Sequence, residues 1–313
     1  WLEGQSFDKT QVPVSLTAMG GSVGGTFIGE LVVIRNKQEL DSLGSKGYLK
    51  GKMVLLNRAF EEDNIKTFFS YGSCVTQRVY GAIWAAPYGV KAVIIRSLSN
   101  SCDMHPHTGV TYYEDSIIKI PIAAVSTAAA DALSYFYSIE GPLSVNFNLK
   151  CETLPDRLSS NVIAEIKGNQ FSNRIIAMGG HFDSWDEGEG AHDDGAGIMH
   201  CFEALRILKQ LGYKPRHTIR CVFWINEENG MRGALKYAEL SELNNETHVA
   251  ALESDRGGFT PRGFAMDSAL LFRTRNYQDL LRPYGISELE FGGGGVDIGP
   301  LKKQNKMINV WAF

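Results

Sequence analysis

The chain alternates short apolar runs with polar, glycine-punctuated connections, and most of the runs have the length of strands. In the first part, KMVLLN (52–57), KAVIIRS (91–97) and IPIAAVS (120–126) are continuous apolar stretches bounded by polar residues, Gly or Pro. That pattern predicts strands buried on both faces. QRVYGAIWAAPYG (77–89) predicts a short helix stopped by glycine. From about residue 158 the units grow larger. NVIAEIKG (161–168), RIIAMGG (174–180), HTIRCVFWIN (217–226) and HVAALES (248–254) predict strands. GIMHCFEALRILKQLG (197–212) predicts a helix with Ile198, Phe202, Leu205, Leu208 and Leu211 on one stripe. MRGALKYAEL (231–240) predicts another. This alternation predicts an α/β fold, its mixed sheet parallel at the centre and sandwiched by helices.

Composition narrows the function classes. With 313 residues, 44% of them hydrophobic, the chain has material for a large core and for one to three domains. The net charge of −4 and the lack of any Lys/Arg-rich run argue against nucleic acid or an acidic membrane surface as partner. The longest apolar runs, such as MVLL and CVFWI, fall far short of the roughly 20 residues of a membrane span, so no transmembrane segment is expected. The five cysteines (Cys74, Cys102, Cys151, Cys201, Cys221) show no CxxC spacing, and their odd number excludes complete internal pairing. FGGGG (291–295) lacks the context of a phosphate-binding loop and predicts a mobile connection. His105 and His107 alternate in DMHPHTG (103–109), where a loop ordered by hydrogen bonds is the favoured reading over metal ligation.

The chemistry concentrates in GGHFDSWDEGEGAHDDGAG (179–197), a stretch with no apolar period. In an open α/β sheet, ligands gather beyond the carboxyl ends of the strands. RIIAMGG leads directly into His181 and Asp183, CVFWIN into Glu227 and Glu228, and HVAALES into Asp255. The glycine-rich loop carrying Asp193 and Asp194 follows the first of these ends. Carboxylates crowded in this way repel, and either protonation or bound cations relieves them. An imidazole with carboxylates and no thiolate suits zinc, cobalt or manganese. A carboxylate shared by two ions would make a two-metal hydrolytic centre. Helix caps in solvent are the bland alternative; it suffices for Glu227 and Glu228 alone but not for the whole set.

These residues, with INEENG, ESDRGG, PHTG, IKIP and GGGGVDIGP, resemble the co-catalytic zinc exopeptidases, and within them the plasma glutamate carboxypeptidase branch more than the bacterial aminopeptidases. The resemblance covers most of the chain. It implies a peptidase domain of residues 1–20 and 146–313, interrupted by a protease-associated α/β domain at 21–145. It implies two zinc ions per subunit, with His181 a ligand of one, Asp193 bridging both, and Glu228 and Asp255 the next ligands. Asp183 would orient His181 through its other ring nitrogen, Glu227 would be the general base, and the Asp193–Asp194 peptide would be cis. The substrate would be a short peptide, most simply a dipeptide, cleaved in carboxypeptidase fashion, with aminopeptidase action as the alternative. A homodimer and a secreted, lysosomal or periplasmic location are compatible with the likeness, and so is the Asn245-Glu246-Thr247 sequon.

The family's last ligand is a histidine downstream of VDIGP, which this chain does not contain. With no starting Met, a chain truncated relative to the working protein is expected. Of the remaining imidazoles, His200 and His217 are poorly placed to substitute, His248 has no assigned role, and His192 is the one candidate. Two other classes remain as alternatives: a receptor-like relative that binds peptide without catalysis, and an acidic calcium-binding domain, which His181 disfavours.

Overall fold

The computed structural model describes residues 12–292, 295–304 and 309–312. Backbone contacts divide the chain into two compact units, one ending at Pro155 and one beginning at Asp156.

The first unit is a six-stranded sheet formed by β1 (Thr17–Ala18), β2 (Gly25–Ile34), β3 (Met53–Leu56), β4 (Ala92–Arg96), β5 (Ile122–Val125) and β6 (Leu143–Leu149), in the order β1-β5-β4-β3-β2-β6. Strands β2 to β5 run parallel, and β1 and β6 close the edges antiparallel. The continuous apolar runs follow from burial on both faces. Val32, Val54, Val93 and Ile122 join one cluster, while Leu31, Met53, Ile94 and Ala123 join the other. Helices α1 (Lys37–Ser45), α2 (Thr67–Ala85) and α3 (Thr127–Glu140) cover the sheet. The predicted helix at 77–89 is the second half of α2, which continues in a 3-10 turn and stops at Gly89, in the left-handed region at φ 73°. Strands β1 and β6 place Thr17–Ala18 and the chain as far as Leu149 in this first sheet, whereas the sequence reading put 1–20 and everything from 146 with the other unit.

The second unit holds β7 (Val162–Ile166), β8 (Phe171–His181), β9 (His217–Trp224), β10 (Thr247–Ser254), β11 (Gly263–Met266), β12 (Glu288–Phe291) and β13 (Asn309–Ala312). Their order is β12-β11-β13-β10-β8-β9-β7. The central β13, β10, β8 and β9 are mutually parallel, and β7 pairs antiparallel with β9. The mixed, centrally parallel sheet predicted from the sequence is thus present. Helix α4 (Ala196–Gln210) packs Cys201 and Leu205 against Cys221 and Met178 on one face. A short turn, α5 (Glu227–Gly230), precedes α6 (Arg232–Leu243), whose Ala234, Tyr237 and Ala238 pack on Ile175, Val222 and Trp224 on the other face. The predicted stripe on α4 is rotated: the buried line is Gly197, Cys201 and Leu205, and Phe202 and Leu211 are exposed. Gly197 explains the rotation, because a Cβ there would lie 1.7 Å from the Ser254 carbonyl oxygen. Only a bare backbone lets α4 approach β10 so closely. Of the FGGGG run, 293–294 lie outside the described residues. No described helix is long and apolar enough to cross a membrane.

Near the start of β10 lies a buried polar network. Arg220 donates to both oxygens of Glu246 at 2.8 Å, to Glu165 at 3.0 Å and to the Tyr237 hydroxyl at 3.1 Å. His248, fully buried, meets the Tyr237 hydroxyl at 2.9 Å and the Ser241 hydroxyl at 3.3 Å. Each charge is partnered, which is the condition for tolerating it inside. Burial, reinforced by the Arg220 charge and only partly offset by Glu246, pushes the imidazole down to about 4. A depressed histidine favours the fold fully above its unfolded value of about 6.5 and loses that contribution as pH falls toward 4. The shift corresponds to about 3 kcal/mol. Urea unfolding between pH 7 and pH 4 should therefore show a steeper loss of stability for wild type than for His248→Gln. Equal slopes would contradict a neutral, buried His248.

Candidate metal centre

His181 is the last residue of β8 and is 1% exposed. It sits where three parallel strands end together. Beside it, the Phe182 amide donates to the Trp224 carbonyl at 2.6 Å, tying the end of β8 to that of β9. His181 Nε2 lies 3.0 Å from Asp193 Oδ1 and 3.4 Å from Asp255 Oδ1. Two groups of three side chains could hold an ion: His181, Asp193 and Glu228, and His181, Asp194 and Asp255, each with its donor atoms within 4.8 Å of one another. The imidazole-plus-carboxylate donor set fits zinc and contains no thiolate. The structure therefore places Asp193 and Glu228 in one group with His181, and Asp194 and Asp255 in another.

The loop before α4 supplies two acids with separate tasks. The Asp193–Asp194 peptide is cis. Asp193 is mostly exposed and faces His181. Asp194 is buried and accepts from the His181 amide and the Gly197 amide, both at 3.1 Å. It thus joins the end of β8 to the first turn of α4. Gly180 and Gly197 leave room for it, since a Cβ on either would fall within 2.2 Å of an Asp194 oxygen.

Asp183 is placed differently from the orienting role implied by the resemblance. Its carboxylate is 4.0 Å from His181 Nδ1, and the hydrogen bond to that nitrogen, 2.9 Å, belongs instead to the Asp183 backbone carbonyl. The carboxylate is engaged elsewhere: Oδ1 accepts from the Glu227 amide at 3.0 Å and Oδ2 from the Glu228 amide at 3.3 Å. Asn226, in the left-handed region at φ 68°, ends the extended course of β9. Glu227 and Glu228 consequently share a turn rather than alternating along a strand. The Asn226 and Asn229 side chains bond to each other across it.

Electrostatics show the crowding directly. Burial, then the charges of Asp255, Glu228 and Glu253, push Glu227 up to about 8 against the pull of His181. Burial and Asp193 push Glu228 up to about 7, while a bond from Trp185 works the other way. Burial and Asp255 push Asp194 up to about 8. For His181 burial acts downward, but the bonds to Asp193 and Asp255 and the charges of Asp255 and Glu227 outweigh it and hold the ring up at about 12. For the three acids burial is the leading cause, and neighbouring carboxylates add to it.

Several nearby groups escaped the sequence reading. Glu253, 2% exposed, accepts from the Val296 and Ile298 amides at 2.9 Å and anchors the segment after the glycine run. Its spacing two before Asp255 puts both on one side of a strand, a signal that was available. Asp297 is 1% exposed, and neither carboxylate oxygen has a hydrogen-bond partner among the described residues. Burial, then Glu253 and Glu227, push it up to about 9. The other imidazoles stay apart from the ligand groups. His192 accepts from the Gly258 amide at 3.3 Å and packs on Phe259, His200 meets the Ser254 hydroxyl at 3.2 Å, and His217 stacks on Phe171. In the first unit, the His105 amide bonds Asp103 and the His107 amide bonds Ser97, so hydrogen bonds order that loop. Neither His105 nor His107 joins a ligand group among the described residues.

Residues 161–289 match the family model of peptidase family M28. Human carboxypeptidase Q is 33% identical over 290 residues, covering 91% of this chain and 59% of that protein. The chain thus spans about three fifths of the length of the curated relatives of that name. A probable leucine aminopeptidase 2 of Aspergillus fumigatus is 34% identical over 129 residues, 41% of this chain and 25% of that protein. The crystal structure of a peptidase M28 precursor from Shewanella amazonensis superposes with a TM-score of 0.88 at 30% identity, over 97% of this chain and 70% of that one. A zinc aminopeptidase from Bacillus subtilis shares the fold, with a TM-score of 0.63 at 19% identity over 96% of this chain and 69% of that one. With this agreement in sequence and architecture, the chain belongs to peptidase family M28.

Proposed function

We propose that the chain is the catalytic body of a zinc-dependent exopeptidase that hydrolyses short peptides, dipeptides above all. The observation that carries this reading is the gathering of two acid pairs around His181, Asp193 with Glu228 and Asp194 with Asp255, with Glu227 next to Glu228 in the same turn. Likeness to proteins named carboxypeptidase Q favours carboxypeptidase-type action, and the aminopeptidase relatives make the other terminus the alternative. A non-catalytic, receptor-like role is disfavoured, because binding alone gives no use for a second carboxylate, Glu227, held beside Glu228 of the ligand group.

His181, Asp193, Glu228 and Asp255 would hold the zinc. Bound zinc supplies a Lewis acid and a water that loses its proton near neutral pH. Glu227 would serve as the proton carrier of the hydrolysis, accepting a proton from the attacking water and returning it to the leaving amine nitrogen as the C–N bond breaks. Asp194 would hold the His181 backbone, and the Asp183 carbonyl would hold the ring through Nδ1.

The first unit is proposed as the protease-associated domain, contributing no ligand. Of residues 1–20, which the resemblance assigns to the peptidase domain, 1–11 lie outside the described residues. An exported location, whether secreted, lysosomal or periplasmic, is proposed from the likeness. Asn245 of the sequon is exposed in a turn, as glycosylation requires.

Two experiments test this reading. On the full-length natural protein, Glu227→Gln should keep its zinc and lose about 10²–10⁴ in kcat. Glu228→Gln should instead bind zinc about 10–100-fold more weakly. Wild-type turnover by a zinc-loaded Glu227→Gln protein would refute Glu227 as base, and loss of zinc would exchange the two roles. Separately, calorimetric zinc titration of the metal-free protein at pH 7 in buffers of different ionisation enthalpy should show release of at least about one proton, since ligation strips the proton His181 otherwise carries. Uptake without proton release would contradict a protonated His181 in the metal-free site.

A further inference from the structure

The Asp183 carboxylate spends both oxygens on consecutive backbone amides of another segment. The first amides of a helical turn have no partner within the turn. In α5 the residue positioned to cap them, Asn226, is in the left-handed region and makes no side-chain cap bond. Asp183, from the end of the neighbouring strand, takes its place: Oδ1 accepts from Glu227 and Oδ2 from Glu228. Both bonds end on carboxylate oxygens, acceptors of the stronger kind for backbone amides. At the same residue the backbone carbonyl accepts from His181 Nδ1 at 2.9 Å. One residue therefore ties the imidazole and the glutamate pair together, through different atoms.

Resting on the function proposed above, we infer that Asp183 is a positioning residue for the Glu227–Glu228 turn, acting through its carboxylate on those two amides, and that its carbonyl rather than its carboxylate sets the His181 ring. The two tasks are separable because side-chain substitution leaves the carbonyl in place. Asp183→Asn keeps the shape, retains one acceptor oxygen and puts an NH2 group against the other amide. It should loosen both glutamates and leave the His181 ring hydrogen bond unchanged. A carboxylate that merely oriented the imidazole would, when amidated, perturb His181 and leave the glutamate amides as they were.

The test is residue-resolved amide hydrogen exchange on the full, zinc-loaded chain, wild type against Asp183→Asn, with zinc affinity and kinetics measured in parallel. Exchange at Glu227 and Glu228 should accelerate on the order of tenfold or more, the change expected from losing a charge-assisted bond. Zinc affinity should fall about 10–100-fold, and kcat should fall with little change in KM. Unchanged exchange at both amides would overturn the inference, as would a change confined to the His181 ring. If the Asn variant does not fold, wild-type protein decides: Glu227 and Glu228 exchanging as fast as unstructured amides would overturn the inference equally. Exchange does not require turnover, so an inactive protein with protected amides would sink the peptidase reading alone. An active one with unprotected amides would sink only this inference.

Discussion

Negative charge brought together at the ends of three parallel strands is the constraint on which the second unit is organised. Neighbouring strands lie about 4.8 Å apart, so residues just past their ends are forced into mutual contact. Here those residues are His181, the Glu227–Glu228 pair and Asp255, and the loop before α4 adds Asp193 and Asp194. Burial raises the proton affinity of these acids, and their mutual repulsion adds to the effect against the pull of His181. Such an arrangement costs the fold stability unless cations or protons complete it. The surrounding structure consists largely of devices for holding it in place. Asp194 staples β8 to α4, Gly197 lets that helix approach, Glu253 anchors the segment after the glycine run, and Asp183 caps the glutamate turn.

Much of this was legible in the residues before any coordinates. Continuous apolar runs identified the central strands of both sheets, because burial on two faces leaves no alternation. The rule that ligands gather at carboxyl strand ends brought His181, Glu228 and Asp255 together without a contact map. Features that depend on a single backbone angle or a close approach were not legible. Residue types alone do not announce the left-handed Asn226 that turns Glu227 and Glu228 out of the strand, nor the rotation of α4 that Gly197 permits. The exchange of roles within Asp183, carbonyl to the ring and carboxylate to the amides, is likewise a matter of tertiary placement. Helix α2 came out longer than predicted because Tyr71, Gly72 and Ser73 obscure its apolar period near the start.

The two units divide the work differently. In the first, both faces of the sheet are covered and the two loop histidines take part in local order only, so its sequence reads as packing. In the second, the end of the sheet near the start of β10 carries a satisfied ionic network around Arg220, and the opposite end carries an unsatisfied one around His181. Complete partnering in the first network suits a structural role. Deliberate deficit in the second suits binding of cations and a polar substrate.

The central claim is that His181, Asp193, Glu228 and Asp255 surround metal. The most direct measurement is anomalous diffraction at the zinc absorption edge from crystals of the protein grown with zinc. The account predicts the strongest peak at about 2.0–2.2 Å from His181 Nε2, with carboxylate oxygens of Asp193 and Asp255 at similar range. A further peak is predicted against Glu228. A strongest peak at His105 and His107, or none at His181 in crystals shown to contain zinc, would contradict it.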